Sequence, residues 1–301
     1  MNFRLVLAFF LLAAFPARAA PQVLATIKPV HSLVASVMGN AGTPVLLIGG
    51  AASEHGFALK ASDARKITRA RLIFQIGPEM ESYLVRPLST LGRSATVISL
   101  NRVPGIQLLD ARKGGLWGNE PSGRGQKDPH IWLDPQNAIA MVRAIEAALA
   151  KADPSGAALY ADNAARTVFV LQGLENRVAA VTAASRRKPY IVFHDAYRYF
   201  EARFGLSPAG AVTVAPDRPV GARRISDLRR IIDSQRITCI FREPQFSPRL
   251  IETLAEGRNV KIGILDPLGA DLAPGPDLYG QLMDSLALSL SQCLAAPQKK
   301  A

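Results

Sequence analysis

The chain has 301 residues, 49% of them hydrophobic, and 36 Lys and Arg against 24 Asp and Glu give it a formal charge of +12. No basic run is interleaved with aromatic residues as a base-stacking surface would be, which argues against nucleic acid as a partner. The basic excess reads as a diffuse solvated face.

The first nineteen residues read as an export signal. Asn2, Phe3 and Arg4 precede an apolar run over 5–15, and Ala17-Arg18-Ala19 supplies the small residues a signal peptidase needs, with cleavage expected after Ala19. The run is shorter than the ~20 apolar residues that span a bilayer. No cysteine lies near the cleavage site for lipid attachment, so the product is expected to be soluble and exported. An isolated cysteine pair in an exported protein, here Cys239 and Cys293, reads as a structural disulfide tying the last helix to a sheet.

The mature length suits two cores better than one. The first half alternates strand and helix: strands at 23–27, 44–47, 72–76 and 95–99, with helices at 31–38, 61–70 and 83–91. The second half repeats the theme with strands near 190–193, 209–214, 239–241 and 261–265. Such alternation predicts an α/β fold with mainly parallel sheets flanked by helices. Between the halves, residues 153–184 contain no internal proline after Pro154 and space Leu159, Val168, Leu171, Leu174, Val178 and Val181 as a helix does. One long helix joining two lobes is the reading, with a lobe at 20–152 and another at 185–301. Residues 105–127 are rich in glycine and charge and read as a surface loop. Trp117 within it is either a cap on a ligand cleft or a local packing anchor.

The chain has four histidines. His55, His130 and His194 each sit at the end of an apolar run or in the loop just after one, where open α/β sheets bind ligands. His130 lies in DPHIWLDP, bracketed by prolines that fix the backbone on both sides. His194 ends a strand, and the adjacent Asp195 is placed either to orient the imidazole or to cap the following helix. Asp266 follows the strand KIGIL. Three neutral imidazoles and a carboxylate suit Zn²⁺, whereas Mn²⁺ and Ca²⁺ prefer more oxygen. Cu²⁺ and Ni²⁺ bind imidazole at least as avidly, so ligand type alone leaves them open. His31, at the start of a helix, reads as structural or solvent-facing. Neither HExxH nor a clustered HxHxD occurs, so a zinc hydrolase is disfavoured.

The segments TIKPVHSLVASVM, SEHGFALKASDARKI, IGPEMESYLVRPL, DPHIWLDPQNA, VFHDAYRYFEARFGL, FREPQF and ILDPLG follow one another over nearly the whole mature chain. Together they resemble the metal-binding (cluster A-I) receptors of ABC transporters, and within that class the periplasmic zinc-binding receptors. The resemblance implies a two-lobed, non-enzymatic solute-binding protein, a periplasmic monomer that holds Zn²⁺ between its lobes and delivers it to a membrane permease with its ATPase. Another divalent cargo, Mn²⁺, Fe²⁺ or Cu²⁺, is the alternative. Carried over by motif, the ligands are His55, His130, His194 and Asp266, with Glu54 an alternative fourth. Histidine at the FHDAY position is associated with zinc in this family, where manganese and iron receptors usually have glutamate. The cysteine pair also matches a disulfide of some zinc members. Two features depart from the pattern: residues 112–127 are basic and lack the histidines many members carry there, and SEH stands where SPH is usual.

Overall fold

The computed structural model describes residues 21–114, 117, 126–214, 216 and 219–295, so the export signal expected at 1–19 lies outside it. Among the described residues the chain forms two four-stranded parallel sheets flanked by helices, as the alternation predicts.

The first sheet is built from β1 (Val23–Ala25), β2 (Val45–Leu46), β3 (Leu72–Gln75) and β4 (Thr96–Ser99), in the order β2-β1-β3-β4. α1 (Lys28–Met38), α2 (Ala61–Arg69) and α3 (Val85–Leu91) connect them. β1 and β3 are buried along their whole length, which is why they read as continuous apolar runs, whereas edge strand β4 is half exposed. α1 begins a turn earlier than the expected start at His31, because Pro29 falls in the first turn, where no intrahelical N–H is needed.

The second sheet repeats this order as β6-β5-β7-β8. Its strands are β5 (Ile191–His194), β6 (Gly210–Thr213), β7 (Cys239–Arg242) and β8 (Lys261–Ile264). Between the sheets run α4 (Pro135–Ala152) and the long α5 (Ala157–Thr182); α6 (Arg198–Phe204), α7 (Ala222–Ser234), α8 (Arg249–Ala255) and α9 (Leu278–Leu294) complete the chain.

α4 is an addition to the sequence reading, which had no helix there. Its signal was present: Asp134 caps the start by accepting from Gln136 N, and Pro135 occupies the first helical position. Asp153, the first residue of the connector read from the sequence, instead ends α4. Its carboxylate takes the Ser155 and Tyr160 hydroxyls, so residues 154–156 form a 3₁₀ turn and the α-helix proper starts at Ala157. α5 packs on α4, α1 and α9, and one continuous apolar core runs through both lobes. A second, smaller core around Ile191, Val212, Leu228 and Ile251 lies in the C-terminal half alone.

Cys239, the first residue of β7, is disulfide-bonded to Cys293 in the last turns of α9. Closing a loop of this separation, 54 residues, stabilises by about 4 kcal/mol in the chain-entropy model. Gly263 on β8 makes room for it: a Cβ there would lie 2.5 Å from the Phe241 ring and 3.2 Å from Cys293 Sγ.

Buried polar contacts also join the lobes. Trp132 Nε1 donates to Pro267 O (2.8 Å), Tyr279 OH donates to Trp132 O (2.7 Å), and Lys28 Nζ donates to the carbonyls of Gly269, Ala270 and Leu272. Among the described residues, no helix is long and apolar enough to cross a membrane.

Candidate metal centre

In each sheet the chain goes out to one edge and returns to the other side of the starting strand. β5 and β7 therefore flank a topological switch point, where the crevice at the strand carboxyl ends receives ligands. His194 is the last residue of β5, and Glu243 directly follows β7. The Glu243 carboxylate accepts from His194 Nδ1 at 2.9 and 2.7 Å through its two oxygens, and one oxygen also lies 3.4 Å from the His194 backbone N–H. This fixes the ring with its proton on Nδ1 and turns Nε2 into the cleft.

His130 is held by the same logic from a different scaffold. Asp128 Oδ1 accepts from both the backbone N–H of His130 (2.9 Å) and its Nδ1 (3.0 Å), again leaving Nε2 free. A 3₁₀ turn, Ile131–Leu133, then leads directly into the Asp134 cap of α4. Glu54 and His55 come from the irregular segment between β2 and α2, where Ser53 Oγ accepts from the His55 N–H at 3.2 Å.

The four side chains converge. His130 Nε2 lies 3.2 Å from His55 Nε2 and 3.3 Å from His194 Nε2. Glu54 Oε1 stands 3.7, 3.9 and 4.0 Å from the Nε2 atoms of His55, His130 and His194, and it is buried with no hydrogen-bond partner. One potential ligand atom from each residue lies within 4.8 Å of all the others. Metal–nitrogen bonds of ~2.0–2.1 Å in a tetrahedron require ligand edges of about 3.3 Å, which the two spacings from His130 match. Glu54, His130 and His194 are buried, and His55, with 21% of its side chain exposed, is the most accessible of the four.

Crowding four ionisable groups away from water shifts their protonation in opposite directions. Burial, together with the neighbouring imidazoles, holds His55 and His130 well below the usual histidine range, so both are neutral near pH 7. Burial raises Glu54 to about 7, offset in part by the charge of His194. For His194 burial acts downward, but the Glu243 carboxylate outweighs it and the group rises to about 9. The Asp128 carboxyl is pushed up to about 7 by burial.

Asp266 stands outside this group. Its Oδ1 accepts from Gln245 Nε2 and from the backbone N–H groups of Leu268 and Gly269, and its Oδ2 from that of Ala270. The turn after β8 thus satisfies the carboxylate locally with three amides. Asp195 neither orients the His194 ring nor caps α6. It pairs with Arg112 Nη1 at 2.7 Å, while Glu243 does the orienting. Glu243 and Asp128 were the roles the sequence reading missed, although each sits in a motif it singled out: FREPQF and DPHIWLDP. His31 is structural, buried at the start of α1 with its Nε2 3.0 Å from Pro44 O. Trp117 is a packing anchor, half-buried on the core with the Arg112 guanidinium 4.1 Å above its ring.

Residues 23–293 match the family model described as ZnuA, the periplasmic component A of zinc-uptake complexes. The chain is 41% identical over 305 residues to the high-affinity zinc uptake system protein ZnuA of Brucella suis biovar 1, covering 91% of each. It is 32% identical over 310 residues to the protein of the same description in Paracoccus denitrificans, covering 94% of this chain and 95% of that one. The periplasmic zinc binding protein TroA from Treponema pallidum shares the fold with a TM-score of 0.80 at 22% identity, over 92% of this chain and 100% of the other. With matched family residues spanning both sheets and the whole metal centre, this chain belongs to the ZnuA family of periplasmic zinc-uptake components.

Proposed function

We propose that this chain captures Zn²⁺ through His55, His130, His194 and Glu54 and delivers it, as a soluble monomer in the periplasm, to a membrane permease driven by an ATPase. The observation that carries the ligand set is the orphaned Glu54 Oε1, buried without a partner and facing three Nε2 atoms, of which that of His130 stands at tetrahedral-edge distance from the other two. A buried carboxylate oxygen without a partner is costly unless a cation completes it. Asp266, the fourth ligand expected from the sequence, is assigned here to the turn that meets Lys28, because its oxygens are engaged by amides. Nitrogen-rich, four-coordinate ligation favours Zn²⁺ over Mn²⁺.

The proposed role is transport without catalysis. A catalytic zinc site keeps a position open for water beside three protein ligands, whereas Glu54 stands ready to fill the fourth. The division into a leader at 1–19, lobes at 20–152 and 185–301 and a connector at 153–184 is part of the same reading. Its support is a long helix that packs on α1 and α4 of the first half and on α9 of the second.

The test is a competitive titration of chelator-stripped protein with Zn²⁺ and Mn²⁺, repeated on Glu54→Gln and Asp266→Asn. Zinc is expected to outcompete manganese, with affinity lost in Glu54→Gln and largely kept in Asp266→Asn. A preference for Mn²⁺ would reject the cargo, and the reverse order of the two variants would restore Asp266 as ligand.

A further inference from the structure

Residues 109–111 and 126–128 pair as a short antiparallel ribbon: Ala111 N donates to Gln126 O and Asp128 N to Leu109 O, both at 2.9 Å, around a bridge between Asp110 and Lys127. One strand of the ribbon runs directly into Asp128 and His130. The other runs into Arg112, which leaves its own half of the molecule. Arg112 Nη1 bonds Asp195 Oδ1 at 2.7 Å and Nη2 bonds Glu201 Oε2 at 2.6 Å, with all three side chains largely buried.

Both acceptors belong to the β5–α6 unit that carries His194. The other oxygen of Glu201 accepts from Tyr190 OH at 3.0 Å, so the carboxylate cannot turn away without losing a second buried bond. A further pin lies beside it. Tyr199 OH, on α6, donates to Asp128 O (2.8 Å) and accepts from Leu109 N (3.1 Å), touching both strands of the ribbon. The side of the guanidinium not used in ion pairing is stacked on Trp117.

We propose that Arg112 is a positioning residue for metal retention: by fastening the ribbon that ends in His130 to the unit that ends in His194, it sets the spacing of these two ligands and slows metal release. A fork of two planar N–H donors suits this task, because it engages two carboxylates at fixed angles where a lysine would offer one point charge. Arg112 touches no ligand atom. It acts through the ribbon, and letting the metal out by parting His130 from His194 requires breaking both of its ion pairs in a largely dry site.

The proposal rests on the ligand set inferred above, and the experiment separates the two. The full mature chain is loaded with Zn²⁺ and its release is followed by chelator capture, while Co²⁺ substitution reports the coordination sphere through its visible spectrum. Arg112→Met keeps the packing on Trp117 and removes both ion pairs. It is expected to speed release about 10–100-fold, the range for losing an outer partner of a metal ligand, with the Co²⁺ spectrum retained. Arg112→Lys should recover part of the loss. Arg177→Met, which removes the exposed pair with Asp284 at 3.1 Å, should leave release unchanged.

If Arg112→Met does not fold, Glu201→Gln and Asp195→Asn remove its partners singly, and each is expected to speed release. Release within twofold of the parent protein in Arg112→Met, or in both partner variants, overturns the proposal. His130→Ala is the check on the ligand set and should abolish the tetrahedral Co²⁺ bands. If those bands persist, the ligand reading fails and the latch with it; if they vanish while Arg112→Met releases normally, the latch alone is rejected.

Discussion

The two sheets share one strand order and use it differently. At the switch point of the second, β5 and β7 deliver His194 and Glu243 from neighbouring strands, so the imidazole and its orienting carboxylate are fixed by the same ladder. The corresponding place in the first sheet, beyond β3, is occupied by buried Glu81, whose Oε2 accepts from Gly77 N at 2.9 Å. The N-terminal members of the cluster therefore come from elsewhere: Glu54 and His55 from an irregular segment, His130 from the ribbon. The C-terminal half of the site is preorganised by regular structure, and the N-terminal half is held by side-chain contacts. Entry and exit of metal are accordingly expected on the His55 side, where the cluster reaches solvent.

The contrast is broken or sharpened most directly by removing ligands. His194→Ala is expected to lower zinc affinity by at least about a hundredfold, beyond the ~10–100-fold usual for an outer partner, because it removes a ligand and strands Glu243. His55→Ala should cost about tenfold, since water can take the place of an imidazole that is 21% exposed. Competition against a chromophoric chelator measures both, and a larger loss for His55→Ala would reverse the assignment of which half of the site is preorganised. Glu243→Gln should fall between them at ~10–100-fold.

The smallest effect is a count of protons. With His194 raised to about 9 and Glu54 to about 7, both hold protons near neutral pH that a metal must displace, whereas His55 and His130 hold none. Zinc binding at pH 7 should release between about one and two protons, read as the dependence of calorimetric enthalpy on buffer ionisation. Release should decline in two steps as pH rises, through about 7 as Glu54 ionises and through about 9 as His194 does, and affinity should weaken as pH falls. In Glu243→Gln the cause of the raised His194 value is gone, so release should drop to the Glu54 share. An unchanged count would mean that Glu243 does not control that proton.

Much of this was legible from local pattern. Strand and helix alternation, the long connector, the cysteine pair and three histidines at or just after apolar runs each depend on short-range periodicity or on residue type. α4 is legible in the same way, because its cap and N1 proline are written in DPQNA. Glu243 and Asp128 were harder. Nothing in REPQF announces that its glutamate faces the histidine of a strand 49 residues earlier.

The sequence by itself determined the kinds of groups available: three imidazoles, a handful of carboxylates, and loops that place them at sheet ends. Which carboxylate turns to the cleft was decided by the tertiary structure. Asp266 has three backbone amides within reach of its own turn and is spent there, while Glu54 Oε1 is buried among the imidazoles with no amide to satisfy it. Side-chain direction follows from the competition for hydrogen-bond partners in the folded chain, and those partners come from residues distant in sequence.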